Sequence, residues 1–260
     1  MSHIKLITIN VERDKHWDRI IPFLEHEQAD VVCMQELFER DLAMLSRHFG
    51  YQSVYIPITK HGDSKSVTSE GPSLLTTLPL TNIHREYYYK TGGSLQIENN
   101  DSVEALRKTI HQGVVWGTVE KDGIQYTIAS THFTWSPEGQ PNSYQEQDAQ
   151  ALLKILDRVD ELVLCGDFNA PRGYNHIYDK LCKRFKDNIP ETLKTTLDVD
   201  LHYARRDLVQ KPRISKYVVD YVFSTPAYSV RNVHTQFGVS DHCAIVCEVE
   251  ATNPIGVIDE

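Results

Sequence analysis

Short apolar runs that break off at a polar side chain recur along this chain. "HIKLITIN" alternates into a strand ending at Asn10, and "ADVVCMQE" is a buried strand ending at Gln35 and Glu36. "IQYTIASTH" ends at His132, and "LVLCGDFN" carries Asp167 and Asn169 to its tip. Between the first two, "KHWDRIIPFLEHE" places Trp17, Ile20, Ile21 and Leu24 on one helical face, with Pro22 as a kink point. Between the second two, "SYQEQDAQALLKILDRV" predicts a helix opened by a Ser143-x-x-Glu146 capping box, with Ala151, Leu152, Ile155 and Leu156 at helical spacing. Both halves therefore read strand, helix, strand. If they pack as layers, the polar tips gather along one sheet edge, where α/β sheets bind ligands.

The rest of the pattern supplies more sheet. "FERDLAMLSRHFG" is a helix stopped by Gly50, and "PSLLTTLPL" and "NIHREYYYK" are strands joined around Pro79. "GVVWGTVEKDGIQYTIASTHF" is a hairpin folded on Asp122-Gly123, a strong two-residue turn signal. A polar segment before it carries weak signals. A short helix around Ile177 and Leu181, a strand "YVVDYVF" with Asp220 inside it, and a last strand "CAIVCEVE" directly after Ser240-Asp241-His242 complete the α/β reading.

A chain of 260 residues, 40% of them hydrophobic, can bury a sizeable core, and no linker divides it, so residues 1–260 are read as one domain. The start, "MSHIKLITINVERD", has no apolar core behind a basic segment, and no run approaches a bilayer-spanning length. The expectation is a cytoplasmic monomer that does not engage membranes. Cys33, Cys165, Cys182, Cys243 and Cys247 include no Cys-x-x-Cys pair and read as reduced, mostly buried thiols. The net charge of −9 argues against a surface that grips nucleic acid all over. It is unevenly spread: "LHYARRDLVQKPRISKY" holds Arg205, Arg206, Lys211, Arg213 and Lys216 against Asp207, either a solvated loop or a phosphate-gripping edge.

The polar tips offer hard oxygen donors in Asn10, Glu36, Asp167, Asn169 and Asp241, with His132 and His242 beside them. Such donors suit Mg²⁺ or Mn²⁺, and no cysteine is offered to a softer metal. Hydrolysing a phosphodiester requires a neutralised phosphate, an aligned water and a proton for the leaving oxygen; a metal, a carboxylate and one or two histidines can supply these. Taken singly, each tip has a plain structural reading. "GDFNAP" can be a turn, Gln35-Glu36 a strand end, His132 a satisfied histidine at a sheet rim, and Ser240-Asp241-His242 a turn into the last strand. Asp220 is hardest to treat this way, because a carboxylate in an apolar strand needs a partner.

Together and in this order, Asn10, Gln35-Glu36, Thr131-His132, Gly166-Asp167-Phe168-Asn169, Asp220 and Ser240-Asp241-His242 resemble the endonuclease/exonuclease/phosphatase superfamily, across nearly the whole chain. The resemblance implies a catalytic domain built as a four-layer sandwich, two packed mixed β-sheets flanked by helices. It implies Glu36 as the principal Mg²⁺ (or Mn²⁺) ligand, with Asn10 beside it and Asp241 contributing directly or through water. It implies that Asp167, held by Asn169, orients or deprotonates the attacking water. His242, its imidazole fixed by Asp220, would bind the scissile phosphate or move a proton, and His132 would stabilise that phosphate or serve the leaving group. Tyr144 and Gln145 stand where many relatives carry arginine, and Cys243 follows "SDH" where arginine or a small polar residue is common, which puts substrate contacts in doubt.

The expected activity is metal-dependent hydrolysis of a phosphate ester, with DNA or RNA ahead of an inositol phosphate, a phospholipid head group or a protein–DNA adduct. A non-catalytic binding or scaffold protein on the same fold is disfavoured by the full residue set. Arg205 and Arg206 in the basic tract, and Trp135 as a stacking platform, are the candidate substrate contacts. A lipid substrate would call for an exposed apolar hairpin or docking helix, and the sequence offers none that convinces.

Overall fold

The computed structural model describes residues 2–62 and 66–252. In chain order it contains β1 (Ile4–Asn10), α1 (Trp17–Glu27), β2 (Val31–Phe38), α2 (Leu42–Phe49), β3 (Gln52–Tyr55), β4 (Thr59–Gly62), β5 (Val67–Thr76) and β6 (Leu80–Tyr89). There follow α3 (Val103–Thr109), β7 (Gln112–Lys121), β8 (Ile124–His132), α4 (Ser143–Leu156), β9 (Val163–Asp167), α5 (His176–Cys182) and β10 (Lys186–Asp187). The last elements are α6 (Lys211–Ile214), β11 (Asp220–Ser224), β12 (Tyr228–Gln236) and β13 (Ala244–Ala251).

Among the described residues the strands form two mixed sheets, one ordered β12-β13-β1-β2-β5-β3 with β4 also on β5, the other β10-β11-β9-β8-β7-β6. Each contains one parallel pair, β1 with β2 and β8 with β9, joined through α1 and α4. Parallel neighbours need a crossover, and a helix that covers the outer face of the sheet provides it. Alternation along β1 assigns the layers. Ile4 and Leu6 join the core shared with Cys165, Val163 and Ala129 of the other sheet, whereas Ile7 and Ile9 pack with Ile20 and Leu24 of α1 and Leu45 of α2. Ala149, Leu152 and Leu156 of α4 and Ile177 and Leu181 of α5 cover the second sheet. The architecture is the α/β sandwich of two sheets flanked by helices that the resemblance implies.

The Asp122-Gly123 hairpin forms as expected, with positive φ at both turn residues (53° and 76°) and register running from Lys121↔Ile124 to Val114↔Thr131. Gly50 ends α2 in the left-handed conformation. Pro22 lies inside α1.

Two expectations are corrected. The cap of α4 is Asn142, whose side chain accepts the Gln145 N–H at 2.9 Å, while Glu146 instead binds His176 and Lys180 of α5. Asp220 opens β11 rather than lying within it, because Thr196 Oγ1 takes the N–H groups of Val219 and Asp220 just before the strand starts. β12 was not anticipated: it is an edge strand, bulged between Arg231 and His234, with few buried side chains to give it a pattern.

Candidate active site

Register brings the strand tips together. His132 pairs with Asp167 across β8 and β9, Asp167 pairs with Asp220 across β9 and β11, and Asn10 pairs with Gln35 across β1 and β2. β9 fits between its neighbours only because residue 166 is glycine: a Cβ there would lie 1.9 Å from the Thr131 carbonyl oxygen, at φ 150°. In β2 the pairing with β5 slips between Met34 and Leu37, and Glu36 takes φ 55°, so the bulge re-aims its carboxylate. Gln35, fully buried, ties the sheets together by donating to Thr8 Oγ1 and Ser130 Oγ.

The Asp167 carboxylate is the hub. Its Oδ1 accepts the Asn169 backbone N–H at 2.9 Å, and its Oδ2 accepts the Asn10 side-chain amide at 3.2 Å. His132 Nε2 and His242 Nε2 lie 3.6 and 3.8 Å from the same Oδ2. Asn10 also donates to Glu36 Oε1 at 3.0 Å, and its own oxygen accepts the Glu12 N–H. Asn169, at φ 49°, donates through Nδ2 to the Phe133 carbonyl and to His132 Nε2. A carbonyl can only accept, so the amide orientation is fixed and His132 Nε2 accepts too; the neutral ring carries its proton on Nδ1, which has no partner among the described residues.

His242 Nδ1 lies 2.8 Å from Asp220 Oδ2, both groups buried. Burial alone would depress the imidazole, but the carboxylates of Asp220 and Asp167 hold it well above the ordinary histidine value. Burial in turn raises the Asp220 carboxyl, against the pull of His242, so the pair keeps a proton between them through the neutral range. Asp167, Asp220 and His242 offer donor atoms within 4.8 Å of one another, close enough to share a metal ion, and so do His61, Glu70 and Glu98.

Burial, reinforced by Glu70, raises the Glu36 carboxyl. Burial pushes Asp241 up to about 7, with His242 opposing and Glu36 and Glu12 adding to the rise. Buried carboxyls whose ionised forms repel one another are suited to a hard divalent cation, so the donor set fits Mg²⁺ or Mn²⁺. Arg13 reaches the same carboxylates: its guanidinium donates to Glu70 at 2.8 Å and stands 3.8 Å from Glu36.

These groups line a cleft of about 750 Å³ that extends past Trp135 and Tyr144 to α3 on one side, and past His202, Tyr203 and Tyr217 on the other. Of the residues expected from sequence, Glu36, His132, Asp167, Asn169, Asp241 and His242 face this cleft, with Asn10 and Asp220 buried directly behind. Trp135 lies at its rim, 43% exposed. Arg205 and Arg206 are outside its lining, and Arg205 turns back to the Leu201 and His202 carbonyls. The doubt over Tyr144 acquires a structural context: Arg107 of α3 stacks over Tyr144 and Tyr89 and pairs with buried Asp148. Arg107, His202 and the group around Arg13 carried no sequence signal, apart from the charged run "ERDK" just beyond the Asn10 tip.

Residues 7–242 match the profile of the endonuclease/exonuclease/phosphatase family, whose members are typically hydrolytic phosphoesterases. No curated protein matches the chain in sequence. Among solved structures, a family protein from Leptotrichia buccalis superposes with a TM-score of 0.70 at 19% identity, covering 95% of this chain and 99% of that one. The human Nocturnin catalytic domain with bound sulfate gives 0.68 at 20% identity (96% and 94%), and D. rerio TDP2 complexed with single-strand DNA product gives 0.65 at 14% (96% and 100%). At these identities the structures speak for the fold, while the profile spans most of the chain and carries the family. The chain belongs to the endonuclease/exonuclease/phosphatase family.

Proposed function

We propose that the protein is a divalent-metal-dependent phosphoesterase that hydrolyses phosphodiesters, nucleic acid ahead of other substrates, by attack of a water held at Asp167. The observation that carries this reading is the convergence of Asn10, Asn169, His132 and His242 on one carboxylate. Asn169 and Asn10 fix its two oxygens, leaving it oriented to accept a proton from water. His242, kept protonated by Asp220, presents Nε2 as a charged donor to the scissile phosphate. His132, held by Asn169, lies on the opposite side of Asp167 from the Asp220 pairing; its Nε2 lone pair faces the site as a proton acceptor, and it would stabilise the phosphate or serve the leaving oxygen only after taking up a proton there. Glu36 and Asp241 would hold Mg²⁺ or Mn²⁺, with Asn10 positioning the Glu36 carboxylate through its side-chain N–H; the ion when bound would neutralise phosphate charge and support the leaving oxygen.

Nucleic acid is favoured by the roomy cleft and the exposed Trp135 at its rim, and the fold shared with D. rerio TDP2, solved with single-strand DNA product, agrees with it. A second reading, a phospholipid head group, rests on one observation: Leu208, Val209 and Tyr203 are 92%, 64% and 73% exposed beside Arg205 and Arg206. This is an apolar tip with basic flanks, of the kind the sequence alone did not reveal.

The test is Mg²⁺-dependent hydrolysis of end-labelled single- and double-stranded DNA and RNA, and of a phospholipid in vesicles, with Asp167→Asn prepared identically. Nucleic-acid cleavage that falls about 10²- to 10⁴-fold in Asp167→Asn supports the first reading. Hydrolysis of the lipid alone would move the assignment to the second. Equal rates for wild type and Asp167→Asn would remove the water-holding role.

A further inference from the structure

His202 lies in the loop between β10 and α6, only 7% exposed, yet it forms part of the wall of the cleft that Glu12, Lys15, Asp241 and His242 also line. Its backbone N–H donates to the Asp198 carbonyl at 2.8 Å, and Asp198 N–H in turn donates to the carbonyl of Asp241. The ring rests against Tyr203, with centroids 4.3 Å apart, and its centre is 6.5 Å from that of His242.

The protonation state of His202 follows from its hydrogen bonding. Nδ1 accepts the backbone N–H of Ala204 at 3.1 Å, capping the turn Tyr203–Arg206. A backbone N–H can only donate, so Nδ1 carries a lone pair and the neutral ring bears its proton on Nε2. Burial, with the charge of His242 adding, holds the ring's pKa down to about 4, so the ring stays neutral at physiological pH. Nε2 has no partner among the described residues. A protonated Nε2 cannot ligate a metal or take a proton from water. What it can do is donate a hydrogen bond to an anion.

We propose that His202 is a phosphate-binding residue, donating Nε2–H to a non-bridging oxygen of the substrate phosphate held opposite His242. The two rings then divide the work: His242 is a charged donor secured by Asp220, and His202 is a neutral donor secured by the Ala204 amide. At 6.5 Å between ring centres, one tetrahedral phosphate can meet both. Because His202 adds a donor without adding charge, it leaves the raised carboxyls of Glu36 and Asp241 undisturbed. The inference rests on the phosphoesterase reading for the identity of the anion.

Two substitutions separate this role from simple capping. In His202→Asn the amide oxygen can replace Nδ1 as acceptor for Ala204, but nothing replaces Nε2–H. In His202→Gln the amide nitrogen reaches the Nε2 position and can donate, but the Nδ1 acceptor is gone. The measurements are thermal midpoint, inorganic phosphate affinity by calorimetry in Mg²⁺, and kcat and KM on bis(p-nitrophenyl) phosphate. The expected result is that His202→Asn keeps its midpoint but loses about 10-fold in phosphate affinity and kcat/KM, as for one hydrogen bond to a charged group. His202→Gln melts earlier yet keeps most of both. Asparagine behaving as wild type, or both variants losing binding in step with their midpoints, would make His202 a structural cap and overturn the proposal. Wild-type protein that binds phosphate in a His202-dependent way but hydrolyses nothing would overturn the hydrolase reading and leave the anion contact standing; hydrolysis without phosphate binding and unchanged in His202→Asn would overturn the anion contact alone, and neither binding nor hydrolysis would overturn both.

Discussion

Replacing Asp220 by asparagine removes the one full charge in contact with His242 Nδ1, 2.8 Å away and buried, at almost no cost in volume. In the native site that carboxylate, with Asp167 Oδ2 at 3.8 Å, holds the imidazole protonated against burial. Without it, burial depresses the ring and Asp167 is left as its main support, so the ring gives up its proton more readily as pH rises. A site that needs the charged donor should therefore lose about 10-fold or more in phosphate affinity or turnover at the alkaline end, as for one hydrogen bond to a charged group, and much less at the acid end. The ratio of wild type to Asp220→Asn, followed from pH 5.5 to 8.5 by phosphate calorimetry and by hydrolysis, measures this directly. Imidazole NMR on the same samples reports the proton itself. A ratio that stays flat with pH would refute the charge argument and reduce Asp220 to a group that orients the ring.

Gly166→Ala places a Cβ 1.9 Å from the Thr131 carbonyl and should cost about 3 kcal/mol or more, or prevent folding; wild-type urea stability would contradict the packing of β8 on β9. His61 is raised to about 9 because Glu70 and Glu98 overcome its burial. Its folded value exceeds its unfolded one, so its contribution to stability is fully present below about 6.5 and is lost as pH rises through about 9. The thermal-midpoint gap between wild type and His61→Gln should shrink across that window, and a constant gap would refute the pairing. Because Asp241 is pushed up to about 7 and must be ionised to meet a cation, Mg²⁺ affinity should rise with pH through neutrality with proton release, and Glu36→Gln should abolish it. Affinity independent of pH between 6 and 8 would argue that Asp241 takes no part.

Most strands and helices were legible because their signals are local, whereas the short elements β3, β4, β10, α3 and α6 were not read from the sequence. β1, β2, β8 and β9 are runs of apolar residues, the Asp122-Gly123 turn fixes a hairpin, and α1 and α4 present periodic faces. β12 escaped because an edge strand buries little and so carries little pattern. The cap of α4 moved by one residue because Asn142 and Ser143 are both competent caps, and α5 recruits Glu146. Asn10, Glu36, His132, Asp167, Asn169, Asp220, Asp241 and His242 were visible in sequence because each stands at a strand end or breaks an apolar run.

The sequence by itself determined the family and which residues are the candidates for its chemistry, since order and local context suffice for both. Only the tertiary structure decided what those residues are chemically. Whether a histidine is charged or neutral depends on packing: the Asp220 carboxylate, brought from another strand, holds His242 charged, and burial keeps His202 neutral while the nearby Ala204 amide sets its tautomer. The rise in Asp241 likewise depends on burial and on the charges of Glu36 and Glu12 across the cleft. Arg13, Arg107 and the exposed Leu208 and Val209 became part of the picture in the same way, because proximity and exposure are properties of packing and leave no period or motif along the chain.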